Sequence, residues 1–128
     1  MTAPTAKVRE ATYRRDLHRC VSCGTKEGLT WQHRAATGMG GAGRKAATLT
    51  AADGLTACLM CNMRFESDMQ ELALASGWKL RRYRGGIPAS ELPYRDAMTG
   101  LWWLPDTEGF RHQVTQGEAL DRLRKGGA

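Results

Sequence analysis

Cys20-Val21-Ser22-Cys23-Gly24 and, after a gap of 34 residues, Cys58-Leu59-Met60-Cys61 decide how this chain of 128 residues is built. Two Cys-x-x-Cys pairs supply four soft thiolates, the ligand set of a tetrahedral structural zinc ion. Gly24 relieves the tight turn that a ligand pair imposes on the backbone. The gap is longer than in a compact zinc ribbon, so a sizeable structured insert is expected between the pairs. Two disulfides or a redox dithiol are the alternatives. Residues 1–7 contain no apolar run of the kind that marks export, so the expected setting is a reducing, cytoplasmic one in which disulfides are rare. A redox pair calls for a strand before it and a long helix after it. The first pair has the reverse order.

Outward from the cysteines, good helix formers fill residues 6–19, with Val8, Thr12 or Tyr13, and Leu17 on one face. This helix is expected to deliver the chain to the first pair. Residues 29–33 and 55–58 read as short strands, the second running into the second pair. Between them, residues 37–45 form a basic, glycine-rich stretch. Gly38 and Gly43 have P-loop separation, but Arg44-Lys45 stands where Lys and Ser/Thr belong, so a P-loop is rejected. Residues 62–76 read as a helix capped by Gly77, and 78–84 as a half-exposed strand alternating apolar and basic side chains. Residues 94–104 read as a hairpin turning at 96–100, and 118–125 as a short, frayed helix. The expected organisation is one α+β domain over 1–128. It has a zinc-bound core at 6–76, a β-rich extension at 77–112, and a flexible tail or short helix at 113–128.

A formal charge of +6 points towards a polyanionic partner. No run approaches the ~20 apolar residues of a membrane span. A zinc ion joining the two pairs is expected to bring His33, on a strand, to face Asn62, in the first turn of a helix. A histidine able to take a proton, beside oxygen ligands for a divalent ion, makes a workable phosphodiesterase site.

Three stretches carry a family resemblance. They are Tyr13-Arg14-Arg15-Asp16-Leu17-His18-Arg19-Cys20-Val21-Ser22-Cys23-Gly24, Trp31-Gln32-His33-Arg34, and Asp53-Gly54-Leu55-Thr56-Ala57-Cys58-Leu59-Met60-Cys61-Asn62. Together, over about residues 10–70, they resemble the HNH endonucleases, zinc-bearing members of which include many small phage proteins. The resemblance implies a treble-clef zinc finger with a ββα-metal core, DNA as partner, and a catalytic divalent ion such as Mg²⁺, Mn²⁺ or Ni²⁺ besides one structural zinc. It assigns His33 as general base, Asn62 and Gln32 to the catalytic ion, and Asp53 to the position that braces the loop. Gln32 stands where the family has Asp or His, and its neutral oxygen holds a divalent ion more weakly than a carboxylate does. Asp53 turned towards the ion would supply the missing charge.

Each assignment has a plainer competitor. His33 could be an ordinary strand histidine, and Asn62 could simply cap its helix. Arg34 and Arg64 could hold phosphates or form surface pairs. Arg44 and Lys45 suit phosphate contact or a solvated linker. Lys79, Arg81, Arg82 and Arg84, with Trp78 and Tyr83, could follow a DNA backbone or form a solvated face. One of Trp102 and Trp103 should point inward. The expected function is therefore a metal-dependent HNH-type nuclease. An inactive zinc-bound nucleic-acid-binding module, or a phage-type regulator gripping a host protein through its Trp-rich hairpin, are the alternatives.

Overall fold

The computed structural model describes residues 3–35 and 49–126. The glycine-rich stretch with Arg44 and Lys45 lies outside the described residues. The fold is mixed α+β, with two small antiparallel sheets and a cluster of four cysteines.

Helix α1 spans Ala6–Arg15, begun by Thr5, whose hydroxyl accepts from the Val8 N–H. It ends before residue 19 because Leu17 and His18 turn into the left-handed region (φ 61° and 53°) and aim the chain at Cys20. Strands β1 (Leu29–His33) and β2 (Gly54–Cys58) pair with Leu29 opposite Cys58 and His33 opposite Gly54. Gly54 is required where it stands, since a Cβ there would lie 2.1 Å from the Trp31 indole.

A single helix over 62–76 was expected; two short ones form instead. Helix α2 spans Leu59–Arg64 and α3 spans Gln70–Ala75. Between them the bonds tighten to three-residue spacing, Glu66 N to Met63 O and Ser67 N to Arg64 O. The bend brings buried Trp78 back to stack on buried Phe65, with ring centroids 5.3 Å apart. Gly77 follows α3 with φ 73°, the left-handed cap expected of it.

The strand expected over 78–84 reduces to one bridge between Leu80 and Ala35. Arg84 folds back to donate to the Arg81 and Ile87 carbonyls, which closes a turn instead. The hairpin is present as β3 (Tyr94–Arg95) and β4 (Trp102–Pro105), and β5 (Arg111–Val114) adds a third strand. Trp102 is buried, while the half-buried Trp103 ring lies 4.0 Å from the Arg111 guanidinium. Helix α4 (Gln116–Lys125) is a full ten residues, capped by the Thr115 hydroxyl and anchored by buried Ala119 and Leu123. Among the described residues no helix is long and apolar enough to cross a membrane.

Two apolar clusters result. One holds Leu55, Phe65, Ala73 and Trp78 around the cysteines; the other holds Leu80, Leu92, Trp102 and Leu123.

Candidate metal centre

Each cysteine is placed by a short-range feature of the chain. Cys20 and Cys23 sit on a turn closed by Gly24 N–H donating to the Cys20 carbonyl at 2.9 Å, with Gly24 at φ 80°. Cys58 ends β2 and is also the N-cap of α2, its sulfur accepting from the Cys61 N–H at 3.4 Å. The Ser22 N–H donates to the Cys20 sulfur at 3.4 Å in the same manner. The four Sγ atoms all lie within 4.8 Å of one another, and no disulfide joins them.

That spacing fits a tetrahedral ion. With Zn–S bonds of ~2.3 Å, the sulfur–sulfur edge of a tetrahedron is about 3.8 Å; Cys23 and Cys58 Sγ are 3.8 Å apart. A disulfide would need about 2.05 Å. Burial pushes the Cys58 thiol up, but bonds from the Cys61 N–H and the neighbouring sulfurs outweigh it and leave Cys58 below its ordinary value. Burial raises Cys23 and Cys61. The four thiols can therefore hold a structural metal ion such as zinc, with Cys20, Cys58 and Cys61 buried and Cys23 exposed.

Beside this cluster, α2 docks on β1 through Asn62, whose carboxamide N–H donates to the Thr30 hydroxyl at 2.9 Å. The capping role weighed for Asn62 belongs to Cys58, because α2 begins at Leu59. Side chains alternate along a strand, so Thr30 and Gln32 share the face that Asn62 covers. Gln32 is buried, and its N–H donates to the His33 carbonyl at 2.9 Å. His33 belongs to the opposite face, where its half-buried ring meets the edge of Trp31 at 4.8 Å and 88°. Asn62 is thus docked against β1 at Thr30, on the strand face that alternation also gives to Gln32. Asp53 is not turned towards Gln32. Its carboxylate accepts from the Thr50 N–H (2.8 Å) and hydroxyl (3.1 Å), a capping box that braces the turn before β2.

Arg34 corrects the expectation of a phosphate contact. It is fully buried, and its guanidinium donates to the carbonyls of Gly77, Ala52, Ala89, Leu92 and Pro93 at 2.7–3.2 Å. Arg64 pairs with Asp68 on the surface, and Lys79 with Glu66. Arg81 and Arg82 are exposed.

The Arg15–Asp16 pair, part of the motif leading into Cys20, is a fastening that no spacing announces. Arg15 meets both carboxylate oxygens of Asp16 at 2.9 and 3.0 Å and also donates to the Ala51 and Gly54 carbonyls. Comparison with models of known protein families, with curated proteins and with solved structures found no match.

Proposed function

We propose that this chain is a zinc-scaffolded, HNH-type endonuclease that hydrolyses phosphodiester bonds of DNA. In this reading the four cysteines hold one zinc ion in a treble clef that clamps the β1–β2 hairpin to α2, the ββα core of such enzymes. The observation that carries the reading is the Asn62–Thr30 bond, which docks α2 on β1 two residues before Gln32 and three before His33. Gln32 and Asn62 would present their oxygens to a divalent ion, which when bound would stabilise charge on the scissile phosphate and the leaving oxygen. His33, at the end of β1, takes the proton of the attacking water, so the phosphate lies across the strand end. Asp53 holds the turn behind it through the Thr50 bonds, and its carbonyl accepts from the Arg34 N–H at 2.9 Å.

A second reading has its own support. Both candidate ligands are neutral, and the carboxylate of Asp53 is engaged by Thr50. A chain that keeps the scaffold but binds no catalytic ion is a nucleic-acid-binding module. Incubation of zinc-loaded protein with supercoiled plasmid and Mg²⁺, Mn²⁺ or Ni²⁺ separates the two. The nuclease nicks the plasmid, and His33→Ala slows nicking by roughly 100-fold or more, the share of a general base. Plasmid binding with no nicking in any metal assigns the module.

A further inference from the structure

Leu80 is bridged to Ala35, and its N–H donates to the Arg34 carbonyl at 2.5 Å, so the segment leaving Leu80 starts beside the end of β1. The next three side chains, Arg81, Arg82 and Tyr83, are all exposed, Tyr83 to 84 %. No other exposed large apolar side chain among the described residues is so bare. The loop that presents them has a defined shape. Arg84 ties the Arg81 carbonyl to that of Ile87, at 2.7 and 3.2 Å, and Gly85 and Gly86 turn the chain at φ 63° and 79°. Tyr83 stands at the rim of a shallow groove of about 380 Å³ whose apolar lining comes from Leu74 and Leu80.

The charges around this groove are unequal in what they can do. Lys79 is committed to Glu66 at 2.5 Å, and Arg84 to backbone carbonyls. Arg81 and Arg82 pair with no carboxylate among the described residues. The Arg82 guanidinium stands 5.9 Å from the centre of the Tyr83 ring. Two available guanidiniums beside an exposed ring and an apolar groove match one chemistry closely: phosphates flanking a flat, apolar-faced base.

We propose that this loop holds an unpaired nucleotide, its base stacked on Tyr83 over the groove and its phosphates on Arg81 and Arg82. Bases inside a duplex already cover one another's faces, so a stacking ring selects single-stranded or locally opened DNA. The substrate of the site at the end of β1 is then DNA with an unpaired segment rather than an uninterrupted duplex. Only the identification of the bound strand as a substrate rests on the nuclease reading; the docking does not.

Binding of labelled oligothymidylate and of a blunt duplex of equal length to the zinc-loaded chain, without added divalent ions, tests the proposal. Fluorescence anisotropy is the readout. The single strand binds more tightly than the duplex. Tyr83→Ala weakens single-strand binding roughly five- to a hundredfold and leaves the duplex unchanged, while Tyr83→Phe restores it. Replacing Arg81 and Arg82 together by Ala lowers the salt slope for the single strand by about 1.4, at ~0.7 for each phosphate. Equal affinity of wild type and Tyr83→Ala for oligothymidylate overturns the proposal, as does a preference for the duplex or displacement by an acidic peptide alone. Single-strand binding lost with Tyr83, but no plasmid nicking in any metal, keeps the docking site and removes the nuclease. Plasmid nicking by a chain whose oligothymidylate binding is indifferent to Tyr83 does the reverse.

Discussion

Asp16 is buried, yet its carboxyl stays ionised because its two oxygens are fully used. Arg15 grips both, the Thr56 N–H donates to one at 2.9 Å, and the Tyr94 hydroxyl donates to the other. Burial alone would raise the carboxyl; the charge of Arg15 and these bonds outweigh it and hold Asp16 below its ordinary value. A depressed folded pKa contributes stability that is complete above the unfolded value of about 3.9 and is lost as pH falls through the lower folded value. Asp16→Asn leaves Arg15 buried without a counter-charge, which should cost on the order of 3–5 kcal/mol near neutral pH. Urea unfolding of both zinc-loaded proteins near neutral pH, where the thiolates still hold the metal, checks this. The gap should stay level across the neutral range, because the unfolded and folded values of Asp16 both lie below it; a gap below about 1 kcal/mol would show that Arg15 does not need the charge. Little of this network is legible in the sequence. Arg15 and Asp16 stood out only as part of a motif leading into Cys20, and their fastening of α1 to β2 needs residues 36 to 40 positions away. An arginine beside His33 looks ready for phosphate, whereas the five carbonyls that enclose Arg34 come from three separate stretches of the chain, at Ala52, at Gly77 and from Ala89 to Pro93.

The end of α1 is where an element and its sequence disagree most. His18 N–H donates to the Tyr13 carbonyl at 2.8 Å and Leu17 N–H to that of Arg14 at 3.1 Å, the paired bonds of a Schellman cap. Leu17 occupies the left-handed position of that cap, at φ 61°, where glycine is usual. Its side chain is 54 % exposed, so little packing offsets the strain. Leu17→Gly should therefore stabilise the zinc-loaded protein by about 0.5–1 kcal/mol, the strain relieved less the added freedom of glycine in the unfolded chain. A thermal melt reads this as a Tm higher by roughly a few degrees; a lower Tm would mean that the leucine packs against something that matters. Elements with a clear period were legible: β1, β2 and the β3–β4 hairpin fall within a residue or so of expectation. Elements decided by partners were not. Arg111-His112-Gln113-Val114 has no apolar alternation and becomes β5 only because β4 offers it an edge. The break between α2 and α3 follows from Phe65 meeting Trp78, which helical spacing alone cannot announce.

For the molecule as a whole, the question is whether the cysteine cluster holds one part of the chain or all of it. The first apolar cluster is packed against the cysteines themselves, with Cys20, Cys58 and Cys61 buried in it. The second, around Leu80, Leu92 and Trp102, includes no cysteine among the described residues, but the two are stitched together. Arg34 reaches from β1's end to the carbonyls of Gly77, Ala89, Leu92 and Pro93. Ala97 N–H donates to the Val21 carbonyl at 2.9 Å, and Arg19 pairs with Asp96 at 2.9 Å, so the β3–β4 turn rests on the turn that carries Cys20 and Cys23. Two small cores have little stability to spare, and releasing four thiols removes the anchor of β2, α2 and that cysteine turn at once. Zinc removal should therefore unfold both clusters together rather than loosen the first alone. The purified protein should carry about one zinc per chain. A strong chelator should abolish the far-ultraviolet helix signal and the near-ultraviolet tryptophan signal in one coincident transition, and added zinc should restore both. Cys58→Ser, which removes a ligand and the cap of α2 together, should not fold to the native state. If the chelated protein instead kept the ordered signals of Trp102 while losing those of Trp78, the ion would be a local staple, and the bonds through Arg34 would hold the remainder without it.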